Sequence, residues 1–178
     1  MAEIVPTVLC ENVEDYKLTI ERLSPFAKRV HLDLADGEFA PTKTVELSEM
    51  WWPQDWQVDI HAMVARPSLY VDALVQMRPS LVIFHAEVDE DLQPSIQQLK
   101  ASGIQTGVGL LRPTVPNTVK DVISAVDHVL VFSGDLGHYG GKASLMQLEK
   151  VRLIRSIHPS VEVGWDGGAT LENVFSLA

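Results

Sequence analysis

His31 and Asp33 stand two residues apart in the apolar run Arg29-Val30-His31-Leu32-Asp33-Leu34, which leads into an Asp36-Gly37 turn. In an extended strand, residues i and i+2 point to the same side, so imidazole and carboxylate share one face while Leu32 and Leu34 take the other. Three later apolar runs also carry polar groups toward their carboxyl ends. His61 lies in "QVDIHAMV", His85 and Glu87 in "SLVIFHAEV", and Asp166 in "VEVGWDGG". Two histidines and two aspartates converging from such ends make a nitrogen-and-oxygen ligand set for a divalent cation with open positions. A lone strand histidine is most often a hydrogen-bonded core residue. What favours a site here is that these groups recur at matching ends of several runs. Two glycine pairs stand beside the set, Gly140-Gly141 in "GHYGGK" and Gly167-Gly168 in "WDGG". In barrels, loops at those positions bind phosphate through backbone amides that glycine leaves uncovered.

The elements that must hold these residues alternate. β-branched runs begin near Ile4, Arg29, Gln57, Ser80, Gln105, Asp127 and Val161, each followed by a candidate helical segment. Asn12 is a helix-cap candidate ahead of Val13, Tyr16, Ile20 and Leu23, which recur at helical spacing. Pro67 fits a first helical turn, Gly103 a helix C-terminus, and Thr170 a final cap. Seven β-then-α units at roughly 25-residue spacing predict a parallel sheet covered by helices. Near-continuous apolar strands fit burial on both faces. A (β/α)8 TIM-type barrel and an open doubly wound sheet both satisfy the pattern. No G-x-G-x-x-G follows the first run, which removes the main sign of a dinucleotide-binding sheet. Such a barrel typically needs ~250 residues, with ~200 near the minimum. The expectation is therefore one domain, 1–178, with only about seven units of the barrel and unpaired first and last edges.

The chain carries 24 acidic and 14 basic residues, a formal charge of -10. That balance disfavours nucleic acid and anionic membranes as partners, though a small site can still be locally positive. Cys10 is the only cysteine, which fits a reducing, cytoplasmic setting. The first residues lack a basic stretch and a long apolar run, so no secretory leader is expected. No window approaches the ~20 apolar residues of a membrane span. His128 is read as structural, and His138 and His158 as surface residues. Trp51, Trp52 and Trp56 are expected to pack beneath the long loop after the second strand.

The segments resemble those of the ribulose-phosphate 3-epimerases, phosphate-binding (β/α)8 barrels. "HLDLADGEFAP" is similar to that family's H-V-D-V-M-D-G-x-F-V-P, and "VDIHAMVARPSLYV" to its D-V-H-L-M-V-x-x-P-x-x-Y-V. "VIFHAEV", "GHYGGK" and "WDGG" resemble its T-V-H-x-E, G-F-G-G-Q and V-D-G-G in the same order. The resemblance implies that His31, Asp33, His61 and Asp166 hold a divalent metal (Zn, Fe, Mn or Co). It also implies that Asp33 and Asp166 are the acid/base pair. The implied reaction, a step of the pentose phosphate pathway, interconverts D-ribulose 5-phosphate and D-xylulose 5-phosphate through a metal-stabilised enediolate. Cys10, His61, Met63, Gly140, Gly141, Gly167 and Gly168 would contact the sugar phosphate, and a homo-oligomer is implied. Alternatives are the same chemistry on a ketohexose 6-phosphate such as D-allulose 6-phosphate, or a non-catalytic sugar-phosphate-binding barrel. Several positions depart from the family pattern. Cys10 stands where P-S-I-L-S-A-D has a substrate-contacting serine, and a thiol is the poorer donor. Ala35, Ala62 and Phe132 replace larger or more flexible apolar residues, Met63 is kept, and Lys142 replaces a glutamine. The family continues into an eighth strand whose Gly-Ser completes the phosphate cradle, whereas this sequence stops at Ala178.

Overall fold

A computed structural model of the protein describes residues 2–177; Met1 and Ala178, the last residue of the final helical pattern, lie outside it. Seven strands form one sheet in sequence order: β1 (Thr7–Val8), β2 (Arg29–Ala35), β3 (Gln57–Met63), β4 (Leu81–His85), β5 (Gln105–Leu110), β6 (His128–Phe132) and β7 (Glu162–Asp166). All neighbours pair parallel. A flat sheet with strands ~4.8 Å apart would hold β2 and β7 about 24 Å from each other. Instead Arg29 Nη1 meets Glu162 Oε1 at 2.9 Å, and His31 Nε2 lies 4.0 Å from Asp166 Oδ2. The sheet is therefore curled into an incomplete TIM-type barrel. Among the described residues, the outer edges of β1 and β7 have no strand partner.

Helices α1 (Val13–Leu23), α2 (Val71–Met77), α3 (Gln93–Ala101), α4 (Lys120–Ala125) and α5 (Glu149–Ile157) cover the convex side, while the short α6 (Val174–Leu177) has no buried residue. The cap expected at Asn12 is present: its side chain accepts the Asp15 N–H at 2.9 Å. Tyr16 and Ile20 are buried as the spacing requires, whereas Val13 is exposed. Pro67 opens a 3-10 turn ahead of α2, and Gly103, at φ +77°, follows α3. Two expectations need correction. The unit after β2 holds only a 3-10 turn, Leu47–Glu49, because Asp36 draws the loop into side-chain-capped turns instead. Its carboxylate accepts N–H groups from Glu38, Phe39 and Ala65, tying this loop to the end of β3. Thr170 is not the cap of α6; the Asn173 side chain accepts the Thr170 N–H, and the helix starts at Val174.

Strand alternation sorts the core. Val82, Phe84, Ile60, Ala62 and Val108 face the helices in one large cluster, while Leu81, Ile83 and Leu130 form a small cluster of their own. At the amino ends of the strands, Arg29 binds Asp59 at 2.8 Å as well as Glu162, and Glu162 contacts the His128 Nδ1 at 3.1 Å. His128 is thus a structural residue, and it opens β6 rather than preceding it. Trp56 is buried and Trp52 packs on the core, while Trp51 meets the Tyr16 ring edge-on at 6.5 Å.

Candidate metal centre

Register places the site. His31 and Asp33 fall on one face of β2, and Asp33 pairs across to His61 of β3. Asp166 is the last residue of β7, paired with Phe132, and the curl of the sheet swings it over the end of β2. One ligand atom from each of His31, Asp33, His61 and Asp166 lies within 4.8 Å of the other three. The His61 Nδ1 is 2.9 Å from Asp33 Oδ1 and 3.6 Å from Asp166 Oδ2. The His31 Nε2 is 3.5 Å from Asp33 Oδ1, too long for a good hydrogen bond. That nitrogen is buried and has no hydrogen-bond partner. Buried polar atoms are normally satisfied. An unsatisfied imidazole nitrogen aimed at two carboxylates is the arrangement a bound cation would complete, so the donor set fits a divalent transition metal.

Electrostatics agree with that fit. Burial alone would push the His31 imidazole down, but Asp33, then Asp166 and Asp59, more than reverse this and raise it to about 9. Burial likewise opposes ionisation of Asp33, yet the nearby His31 and the hydrogen bond from His61 bring its carboxyl down to about 2. Negative charge at the site is thus held ready, with a proton on His31 standing where a cation would sit.

A cavity of about 180 Å³ opens beside the cluster, lined by Asp33, His61, Met63, Phe132, Asp166 and the loops after β6 and β7. Drug-sized ligands occupy ~300–1,000 Å³, so this space suits a small substrate. Gly140, Gly167 and Gly168 line it, as does Met63; Gly141 turns the loop without reaching the wall. The Gly168 N–H already donates to Gly140 O at 2.8 Å. Gly168 therefore serves the site by lacking a side chain rather than by offering its amide. Gly167 has φ +90°, and a Cβ there would fall on the Gly134 backbone. Gly167→Ala is expected to cost about 2–4 kcal/mol through strain and overlap, visible as a lowered melting temperature. An unchanged melt would mean that this loop is not held as described.

The structure does not bring Cys10 to the cavity. Alternation along the chain points Thr7 and Leu9 inward, whereas the Cys10 thiol turns toward Thr19 Oγ1, 3.8 Å away under α1. Thr7 lines that wall instead, a residue that sequence reasoning missed although strand parity marks it. Tyr139 was missed as well: its phenol accepts the Leu9 N–H at 2.6 Å and bridges the β6 loop to β1. Ala35 packs against Met63, and Phe132 lines the cavity, while Ala62 faces away from it. Lys142 and His138 are exposed, and His158 is half-buried. His85 and Glu87 lie behind His61, with His85 Nε2 2.8 Å from His61 Nε2.

Comparison with known proteins adds a second line of observation. The sequence profile of the Ribulose-phosphate 3 epimerase family matches residues 3–178. The chain belongs to that family. It is 33% identical over 175 residues to the ribulose-phosphate 3-epimerase, cytoplasmic isoform, of Oryza sativa subsp. japonica, covering 94% of this chain and 77% of that one. It is 29% identical over 182 residues to the ribulose-phosphate 3-epimerase of Helicobacter pylori, covering 98% and 83%. The Schizosaccharomyces pombe ribulose-phosphate 3-epimerase is 26% identical over 185 residues, covering 99% and 81%. Among solved structures, the phosphoribosyl anthranilate isomerase from Thermococcus kodakaraensis superposes with a TM-score of 0.59 at 13% identity, covering 98% of this chain and 82% of that one. This last likeness shows the barrel fold alone. Membership of the epimerase family makes the chain an isomerase. No helix among the described residues is long and apolar enough to cross a membrane.

Proposed function

We propose that the chain is a metal-dependent, cytoplasmic, single-domain 3-epimerase that interconverts D-ribulose 5-phosphate and D-xylulose 5-phosphate. The observation that carries this reading is the convergence of His31, Asp33, His61 and Asp166 within 4.8 Å, with a buried, unpartnered His31 nitrogen among them. These four side chains would hold the cation. A bound divalent ion supplies stabilisation of negative charge developing on the substrate oxygens beside the reacting carbon. Asp33, from β2, and Asp166, from β7, approach the cavity from different walls. Inversion needs one carboxylate to remove the C3 proton from one face and the other to return a proton to the opposite face. Met63 and Phe132 supply an apolar wall that excludes water from the reacting carbon. The phosphate would lie against the glycine loops after β6 and β7. The relatives named ribulose-phosphate 3-epimerases favour the five-carbon substrate over a ketohexose 6-phosphate.

The direct test is conversion of each substrate by metal-reconstituted protein. Faster turnover of D-ribulose 5-phosphate than of D-allulose 6-phosphate supports the assignment, and the reverse order overturns it. The raised His31 value gives a further expected outcome. Metal binding needs the neutral imidazole, so the proton on His31 competes with the cation below about pH 9. Apparent Zn affinity should rise by about tenfold per pH unit across this window. The metal-free chain should show the opposite trend. His31 is raised in the fold from 6.5 to about 9, so its protonation stabilises the fold fully below pH 6.5. That contribution is lost as pH climbs to about 9. Chelator-buffered Zn titrations and metal-free melting curves at several pH values check both. A pH-independent Zn affinity would contradict the role given to His31.

A further inference from the structure

The His61 ring stands between two neighbours. Its Nδ1 faces Asp33 and Asp166, and its Nε2 lies 2.8 Å from the Nε2 of His85. Two imidazole nitrogens at that distance share one proton, so one ring donates and the other accepts. Either polarity satisfies the contact taken alone, but they differ at the cation site. If His61 donates from Nε2, neutral His61 presents a bare Nδ1 to the cluster. If His85 donates, the His61 proton moves to Nδ1, where it would block a cation.

In the metal-free chain the Asp33 carboxylate, 2.9 Å away, calls for a proton on His61 Nδ1; once a cation takes that contact, the second nitrogen of His85 decides between them. Its Nδ1 lies 3.3 Å from Glu87 Oε2. The other Glu87 oxygen accepts the Leu111 N–H at 2.8 Å and the Thr114 hydroxyl. An ionised carboxylate with two donors on one oxygen can only accept on the other. His85 must therefore carry its proton on Nδ1 and accept at Nε2, and His61 must donate from Nε2. Both imidazole rings are fully buried, which removes water as a competing partner. Space for the His85 ring is made by Gly109 of β5, where a Cβ would come within 3.1 Å of His85 Nδ1.

We propose that Glu87 and His85 are positioning residues that fix the proton of His61 on Nε2, leaving Nδ1 free to bind the cation. This inference rests on the metal site proposed above. Metal-bound histidines commonly give their other N–H to such a partner, and its loss typically lowers metal affinity 10- to 100-fold. Here the partner is a two-step relay, β3 to β4 to the loop after β5, that ends on a main-chain amide.

Glu87→Gln tests the direction of the relay. The Leu111 N–H and Thr114 hydroxyl keep the amide oxygen on their side, so the new NH2 faces His85 Nδ1 and reverses both hydrogen bonds. Zn affinity, measured against a competing chelator, is expected to fall about 10- to 100-fold while the metal-free melting temperature changes little. Two-bond 1H–15N spectra of Zn-loaded wild-type protein should show His85 protonated on Nδ1 and His61 on Nε2. In Glu87→Gln, His85 should move to the Nε2–H form. A wild-type His85 carrying its proton on Nε2 overturns the relay even if the variant does not fold. So does wild-type Zn affinity in a folded Glu87→Gln protein. Failure of the wild-type chain to bind Zn overturns the metal site itself, and the relay with it.

Discussion

Asp166→Asn is expected to lower the rate of C3 inversion by about a thousandfold or more, the range of a lost acid–base group, and to leave the fold intact. The reasons lie in where Asp166 sits. Its side chain is 22% exposed at the carboxyl end of β7, and its nearest charged contacts are 3.6 and 4.0 Å long. Nothing in the sheet depends on its charge, and asparagine keeps its shape. What the variant loses is a group that can accept and return a proton at one face of C3, together with a ligand oxygen of full negative charge. Asp33 is the less clean target. It is 5% exposed and lies 2.9 Å from His61, so its removal would leave buried imidazoles without their counter-charge. Steady-state rates and melting curves of Asp166→Asn therefore separate chemistry from folding. Turnover within tenfold of wild type would remove Asp166 from the mechanism.

Stripping the metal is expected to have an effect as large on turnover and a second one on stability. Dialysis against a strong chelator should abolish inversion, and Zn, Mn, Fe or Co should restore it. Mg should not, because two of the four donors are imidazole nitrogens and Mg prefers an all-oxygen shell. A ligand present at about 100 times its dissociation constant stabilises the folded chain by about 2.7 kcal/mol. In a domain of this size that raises the melting temperature by about 5–10 °C. Full activity after exhaustive chelation, with metal content shown to be below one-tenth of the protein, would contradict the metal assignment.

Much of the fold and of the site is legible in the amino-acid sequence. The spacing of His31 and Asp33 encodes a shared strand face, and the alternation of apolar runs encodes a parallel sheet. Together they bring β2, β3 and β7 side chains to one rim, as the 4.8 Å cluster shows. What stays hidden has physical causes. The bond from the Leu9 N–H to the Tyr139 phenol joins residues 130 positions apart, and the Arg29–Glu162 pair spans 133; no local pattern announces either. Resemblance assigns Cys10 to the substrate, but strand parity sends it under α1 and gives the wall to Thr7. The missing helix after β2 reflects Asp36, whose carboxylate offers the backbone three hydrogen bonds that a helix would have to replace. Glu87 is visible as a polar residue near a strand end, yet its role depends on which donors surround it, and Leu111 and Thr114 belong to another loop.

In the proposed reaction two carboxylates exchange the proton at C3 from opposite faces. Incubating the metal-reconstituted protein with D-ribulose 5-phosphate in D2O, and following C3 by NMR, tests it most directly. Deuterium is expected at C3 of D-xylulose 5-phosphate, appearing at the rate of inversion. Absence of both exchange and inversion, with the metal shown to be bound, would contradict it.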